Sequence, residues 1–269
     1  MTQGLAHTVD GVGVPRLRLL DLFSGIGGFS LGLERTGGFE TVAFCEIEPF
    51  CRRVLAKHWP KVPCYDDVRT LTAGRLAADG IGVDVISGGF PCQDISIAGN
   101  KAGLEAGTRS GLWGEIARLV GEVRPRFVVV ENVANLLAGP DFQPGGWFGR
   151  VLGDLASLGY DAEWECIPAS ALGAPHPRER VWVVAYPNGA GLLQWPATID
   201  SGQGWPGRKE QFARLHEHCL RMAIPARSHG RVHDGVSGRV GQLRAYGNAV
   251  VPDIPELIGR AIMEAEGLT

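Results

Sequence analysis

Short apolar runs recur along the first two thirds of the chain, each bounded by glycine, proline or acidic residues. Leu17–Phe23, Thr41–Cys45, a short stretch near Val62–Tyr65, Val83–Ser87 and Phe127–Val130 read as strands. Between them lie segments with helical spacing of apolar positions: from the glycines after Phe23 to about Arg35, then Pro49–His58, Leu112–Val123 and Phe148–Leu158. Tyr160–Ile167 and Arg180–Tyr186 read as the last two strands, joined by Ala174-Pro175-His176-Pro177. Alternating strands and helices with short apolar strands predict an α/β domain with a parallel, doubly wound sheet.

The alternation then breaks. Pro187 onward is rich in Gly, Pro, Trp and Arg, and only Gln211–Met222 has helical character. A closing helix is expected over Asp253–Glu266, with Asp253 as N-cap and Pro255 in its first turn. The chain thus divides into a loose arm (1–16), a main domain (17–186), a small region (187–241) and a segment returning to the main domain (242–269).

Composition changes this picture in two places. Six cysteines, at 45, 51, 64, 92, 166 and 219, form no C-x-x-C pair, so neither a zinc site nor a disulfide framework is expected. Reduced thiols suit a cytoplasmic protein. Neither a signal peptide nor a membrane span is read from the chain. Net charge is −3, which alone disfavours nucleic acid, yet Gly207–Arg244 carries +5 and leaves −8 for the rest. A basic module on an acidic body suggests local contact with phosphate; the plainer alternative is a solvated arginine-rich loop.

Candidate chemistry clusters at the ends of the predicted strands. Asp21-Leu22-Phe23-Ser24-Gly25-Ile26-Gly27-Gly28 joins the first strand to the first helix. Glycines there let the backbone turn tightly and approach a ligand. Ser30 stands where a dinucleotide turn wants its third glycine, so the match to that motif is partial. Glu46 ends the second strand, about 20 residues on, where a carboxylate can bind ribose hydroxyls. Asp67-Val68 follows the third strand, where it can meet an adenine edge. Each alone is more often structural; together they describe an adenosine-type pocket.

Gly88-Gly89-Phe90-Pro91-Cys92-Gln93 leaves the fourth strand and leads into a glycine-rich stretch, Ala98–Gly111, with the character of a lid. Cys92 is placed as a nucleophile; the other five cysteines read as small buried hydrophobes. Glu131-Asn132-Val133 lies at the end of the fifth strand, bringing a carboxyl to the same crevice. Arg178 and Arg180 alternate at the opening of the last strand and point the same way. An exposed edge-strand start is the plain alternative for them.

In this order, these residues resemble the DNA cytosine-5 methyltransferase family. Asp21–Gly28 resembles its first cofactor motif, Pro91-Cys92-Gln93 its nucleophile motif, and Glu131-Asn132-Val133 its proton-donor motif. Arg178-Glu179-Arg180 resembles its arginine strand, and Gly247-Asn248-Ala249-Val250 its closing motif. The resemblance covers roughly 17–186 and 241–266, and it rests on the order of the motifs more than on any one. It implies a Rossmann-like methyltransferase sheet with a small appended target-recognition region at 187–241, short for that role. It also implies S-adenosylmethionine, held by Asp21, Phe23, Gly25, Gly27, Gly28, Glu46, Asp67, Val68, Pro91, Asn248 and Val250. Cys92, Glu131, Arg178 and Arg180 are then catalytic, and Gln93, Ser96 and Arg109 meet the substrate. The implied reaction adds Cys92 to C6 of a cytosine flipped from double-stranded DNA and methylates C5. A monomer without metal is expected, in a bacterial or phage setting, with any cognate restriction endonuclease on a separate chain.

Three other readings compete. An RNA cytosine-5 methyltransferase would use the same catalytic set and is favoured by the short recognition region; transfer to tRNA against duplex DNA separates the two. A DNA-binding module without catalysis is opposed by the intact Cys92, Glu131 and Arg180. A nicotinamide oxidoreductase has no use for that thiol and carboxyl together.

Overall fold

The computed structural model describes residues 15–91, 112–137, 146–172, 178–189 and 249–268. Cys92, Gln93, Ser96, Arg109 and Asn248 lie outside the described residues, as do residues 190–241 of the small region and nearly all of the expected N-terminal arm.

The strands are β1 (Leu17–Leu22), β2 (Phe39–Cys45), β3 (Cys64–Tyr65), β4 (Val85–Gly89), β5 (Phe127–Val133), β6 (Tyr160–Pro168) and β7 (Glu179–Pro187). The helices are α1 (Gly28–Glu34), α2 (Pro49–His58), α3 (Ala73–Ala78), α4 (Trp113–Val123), α5 (Gly146–Ser157) and α6 (Asp253–Ala265). Helix α3 lies in a stretch where the apolar pattern predicted no element. Its start has a local cause: the Thr72 side chain accepts from the Arg75 amide as an N-cap.

The seven strands form one sheet in the order β3-β2-β1-β4-β5-β7-β6. It is doubly wound and Rossmann-like, but not wholly parallel. Strands β1 to β5 pair in parallel, whereas β7 inserts antiparallel between β5 and β6. A reversed β7 brings its N-terminal residues to the edge of the sheet where β5 ends. That reversal places Arg180 opposite Val133 and Trp182 opposite Glu131.

Alternation along the strands splits the core into two layers. Leu20, Leu22, Ile86, Val128, Val130, Val181 and Val183 face α4 and α5 through Trp113, Ile116, Val120, Val151 and Leu155. Leu19, Val85, Val129, Trp182 and Val184 face α1 and α6 through Phe29, Leu33, Ile254 and Ile258. Phe29 meets Trp182 edge-on, with ring centroids 5.5 Å apart. Even positions of β7 and odd positions of β5 share the α1 layer, so Glu131 and Arg180 lie on one face of the sheet.

The start of α6 differs from expectation. Pro252 is the N-cap, and Asp253 is the first helical residue, buried and 3.8 Å from the Arg35 guanidinium. Its carboxylate serves the α1–α6 contact, and Pro252 offers no side-chain cap bond. Helix α6 closes tightly over α1. A Cβ on Gly28 would lie 2.6 Å from the Val250 carbonyl oxygen, and one on Gly32 would overlap the Pro252 carbonyl oxygen.

Candidate active site

The glycine turn is built on left-handed backbone. Gly25 and Gly27 have φ of +55° and +88°, and Phe23 adopts φ 52°. A positive φ on an aromatic residue is strained and needs its surroundings to enforce it. Ser24 donates its hydroxyl to the Asp21 carbonyl at 2.6 Å, and Gly27 N–H donates to the Ser24 carbonyl at 2.8 Å. A Cβ on Gly27 would collide with Trp59, whose indole N–H donates to Glu34 at 2.9 Å. At Gly25, by contrast, a Cβ would meet nothing within 4 Å. Open space over half-buried backbone is what a bound nucleoside moiety requires.

Glu46 reaches this turn from the end of β2. Its carboxylate accepts the Gly25 N–H at 2.7 Å and the Glu48 N–H at 2.7 Å. Burial raises its pKa, and these amides partly offset the rise. The Glu46 N–H in turn donates to the Tyr65 carbonyl at 2.9 Å, which sets the end of β3 beside it. Asp67 follows. Its carboxylate is clasped by the Arg69 guanidinium, with contacts down to 2.6 Å, and is held below the usual carboxylate range by that partner. Val68 is buried in the core, so only its backbone is available to a ligand.

Asp21 does not line the pocket. It is fully buried behind the turn, where it accepts from Ser30 of α1 at 2.9 Å and Ser87 of β4 at 2.8 Å. Burial pushes its pKa up to about 7, against the two serine hydrogen bonds. Its role as a direct cofactor contact is therefore replaced by a structural one, tying three elements together beneath the glycines. The reason is its position: it shares the odd-numbered face of β1 with Leu17 and Leu19, which points into the α1 layer.

Arg180 meets the acid, and Arg178 lies near enough for its charge to act on it. Glu131 is buried, and Arg180 Nε lies 3.0 Å from its Oε1. Desolvation raises the Glu131 pKa, while Arg180 and Arg178 pull it down; burial wins. Glu131 Oε2 also lies 3.1 Å from the position of a Cβ on Gly89, so glycine there leaves room for the carboxyl. Strand β5 runs through Glu131 to Val133 and does not stop before it. Next to it, the buried Asn132 amide donates to the Phe90 carbonyl at 3.1 Å. Pro91, half-buried, ends the described run at β4.

The glycine turn with Glu46 and the Glu131–Arg180 pair thus occupy the C-terminal edge of one sheet, either side of the Gly88–Pro91 segment. Val250 packs over Gly28. The family model described as C-5 cytosine-specific DNA methylase matches residues 17–212. The chain belongs to this family.

Curated relatives include the type II methyltransferase M2.BsuMI of Bacillus subtilis (strain 168). It is 35% identical over 173 residues, which make up 63% of this chain and 42% of that protein. M1.ScrFI of Lactococcus lactis subsp. cremoris, also a type II methyltransferase, is 33% identical over 171 residues, 64% of this chain and 42% of that one. The chain therefore aligns with less than half of either relative's length. The fold is that of Dnmt2 from Spodoptera frugiperda, with a TM-score of 0.63, 14% identity, and coverage of 92% of this chain and 99% of that one.

Several residues at this site have roles that the sequence did not reveal. Ser30, Ser87 and Trp59 act through packing that brings distant positions together. Cys45 and Cys51 are buried as expected of small hydrophobes, whereas Cys64 and Cys166 are only half-buried on short or edge strands. Among the described residues there is no cluster of metal-ligating side chains, and no helix is long and apolar enough to cross a membrane.

Proposed function

We propose that this chain transfers a methyl group from S-adenosylmethionine to C5 of cytosine in double-stranded DNA. The observation that supports it best is the buried Glu131 facing Arg180 at 3.0 Å, on the sheet edge that also holds the glycine turn. A carboxyl that burial inclines towards its protonated form, beside two cations, suits a ring that gains electron density during reaction.

Cytosine C5 is a weak nucleophile. Addition of the Cys92 thiolate to C6 breaks the C5–C6 double bond and leaves an enamine whose C5 can accept a methyl group. Glu131 donates a proton or hydrogen bond at N3 and so stabilises the developing charge. Arg180 and Arg178 hold Glu131 in place and present positive charge towards the O2 side of the ring. A base then removes the C5 proton. The electron pair restores the double bond and expels Cys92. Because C5 and C6 are stacked inside a duplex, the base must leave the helix, at a cost of a few kcal/mol.

The chain's own residues fit the cofactor. The open space over Gly25, the Glu46 carboxylate beneath it and the half-buried Asp67 suit an adenosine; Phe23, Gly27, Gly28 and Val250 form the walls, and Pro91 and Asn248, the latter outside the described residues, are assigned to the same site. Bound there, S-adenosylmethionine supplies an electrophilic methyl. Arg109, Gln93 and Ser96 meet the substrate, and 187–241 reads the sequence around the target through base edges. The protein acts as a monomer in the cytoplasm of a bacterium or as a phage product. The type II relatives favour a restriction-modification setting, with a nuclease on another chain.

Incubation with tritiated S-adenosylmethionine and either duplex DNA or tRNA tests the reading. Label in DNA, lost in the Glu131→Gln variant, is the expected result. Label in tRNA alone, or in neither, overturns the assignment of DNA as substrate.

A further inference from the structure

Helix α4 sends one guanidinium across to the turn that follows β3. Arg118 Nη2 donates to the Val68 carbonyl at 2.9 Å and to the Leu71 carbonyl at 2.9 Å. The guanidinium is aimed by two acids of its own helix: Glu115 accepts from Nε at 2.8 Å, and Glu122 accepts from Nη1 at 2.7 Å. The other oxygen of Glu122 accepts the Ala73 N–H at 2.9 Å, at the start of α3. One arginine–glutamate pair thus fastens both ends of the 68–73 segment to α4.

The turn needs such a fastening. Strand β3 is only two residues long, and its ladder with β2 ends at Cys45 and Tyr65. Beyond it, among the described residues, no sheet bond restrains the backbone that carries Asp67 and Val68. Among the described residues, the bonds that hold Asp67 are local: its carboxylate accepts from Arg69, and its carbonyl accepts the Thr70 N–H at 3.1 Å. A guanidinium held by two acids, with one Nη2 meeting two carbonyls at once, does what further strand residues would do.

We propose that Arg118 is a positioning residue that sets the adenine side of the cofactor pocket and its discrimination between purines. This rests on the cofactor reading above. Asp67, one residue before the anchored Val68, is the acceptor suited to an exocyclic amine, so the position of this turn decides whether an amine or a carbonyl is preferred there.

The test is calorimetric titration of the full chain with S-adenosylhomocysteine and with S-inosylhomocysteine, for the wild type and for Arg118→Met, Arg118→Lys and Glu122→Gln. Arg118→Met is expected to weaken S-adenosylhomocysteine about tenfold, the effect of losing hydrogen bonds from a charged donor. It should narrow the preference over the inosine analogue by a similar factor, and raise KM for S-adenosylmethionine with kcat held within about twofold. Glu122→Gln should move the same way by less. Should Arg118→Met fail to fold, Arg118→Lys, whose one ammonium cannot bond Glu115, Glu122 and both carbonyls together, must still narrow the purine preference. If the wild type binds S-adenosylhomocysteine and the variants keep its purine preference, the inference falls alone. If the wild type binds none, the cofactor reading falls, and this inference with it.

Discussion

Arg180 and Glu131 face each other across an antiparallel pair of strands, 3.0 Å apart, because β7 runs against β5. In a parallel arrangement the N-terminal residues of the last strand would lie at the opposite edge of the sheet. The reversal brings residues 49 positions apart in sequence to one buried contact, and it accounts for a carboxyl that burial raises but two arginines restrain.

Removing Arg180 should therefore shift Glu131 further. In Arg180→Met the carboxyl loses the nearer cation, and its pKa should rise above that of the wild type. Titration of a carbon-13-labelled glutamate carboxyl by NMR reads this directly. Methyl transfer should fall about 10²–10³-fold, the effect of losing a preorganised charge-stabilising donor. An unchanged Glu131 titration would contradict the geometry.

Asn132 should prove important for rate and not for cofactor affinity. Its amide bonds the Phe90 carbonyl, two residues before the proposed nucleophile. Asn132→Ala leaves that carbonyl without this donor, at about 1–3 kcal/mol. Single-turnover methylation should slow while S-adenosylhomocysteine binding stays within about threefold, the range of ~0.65 kcal/mol. Equal losses in both would assign Asn132 to general folding instead.

Gly28→Ala would ordinarily favour the first turn of α1 by up to about 1 kcal/mol. Here the added Cβ lies 2.6 Å from the Val250 carbonyl oxygen and 2.9 Å from the Val250 Cβ. Overpacking of this kind costs about 1–3 kcal/mol, so net destabilisation and weaker S-adenosylhomocysteine binding are expected. Urea unfolding and calorimetry check both; a stabilised variant would show that Val250 does not sit on α1.

How much of this was legible in the sequence depends on how local the cause is. The glycine turn, Glu46, and the alternation of Arg178 and Arg180 follow from strand ends and period-two geometry, and the structure brings them to one edge. The bounds of α2 agree residue for residue, because Pro49 fixes its start. Strand β4 begins two residues later than Val83 suggests, because Asp84 is engaged by Arg18, which donates to it through Nε at 2.8 Å. The antiparallel β7 was not legible, since strand direction depends on a long connection. Asp21 was misplaced for a similar reason: motif position suggests a ligand contact, while its burial is set by Ser30 and Ser87 from other elements.

Asp21 also gives the fold a pH dependence. Its carboxyl titrates at 3.8 when unperturbed and at about 7 in the folded protein. Between these values the native state holds a proton that the unfolded chain has released, so stability falls as pH rises through the window. At about 1.4 kcal/mol per pH unit, this group alone removes about 2–3 kcal/mol between pH 5 and pH 8. Asp21→Asn carries no such charge and should show a flatter profile in urea unfolding at the two pH values. Parallel profiles for the two proteins would place the Asp21 titration elsewhere.

Bisulfite sequencing of plasmid DNA from cells expressing the chain, beside the Cys92→Ala variant, tests the central claim most directly. Cytosines protected in a fixed sequence context with the wild type, and converted throughout with the variant, are the predicted result. Full conversion in both samples, with the wild-type protein folded and binding S-adenosylhomocysteine, would contradict the assignment of DNA cytosine as the methyl acceptor.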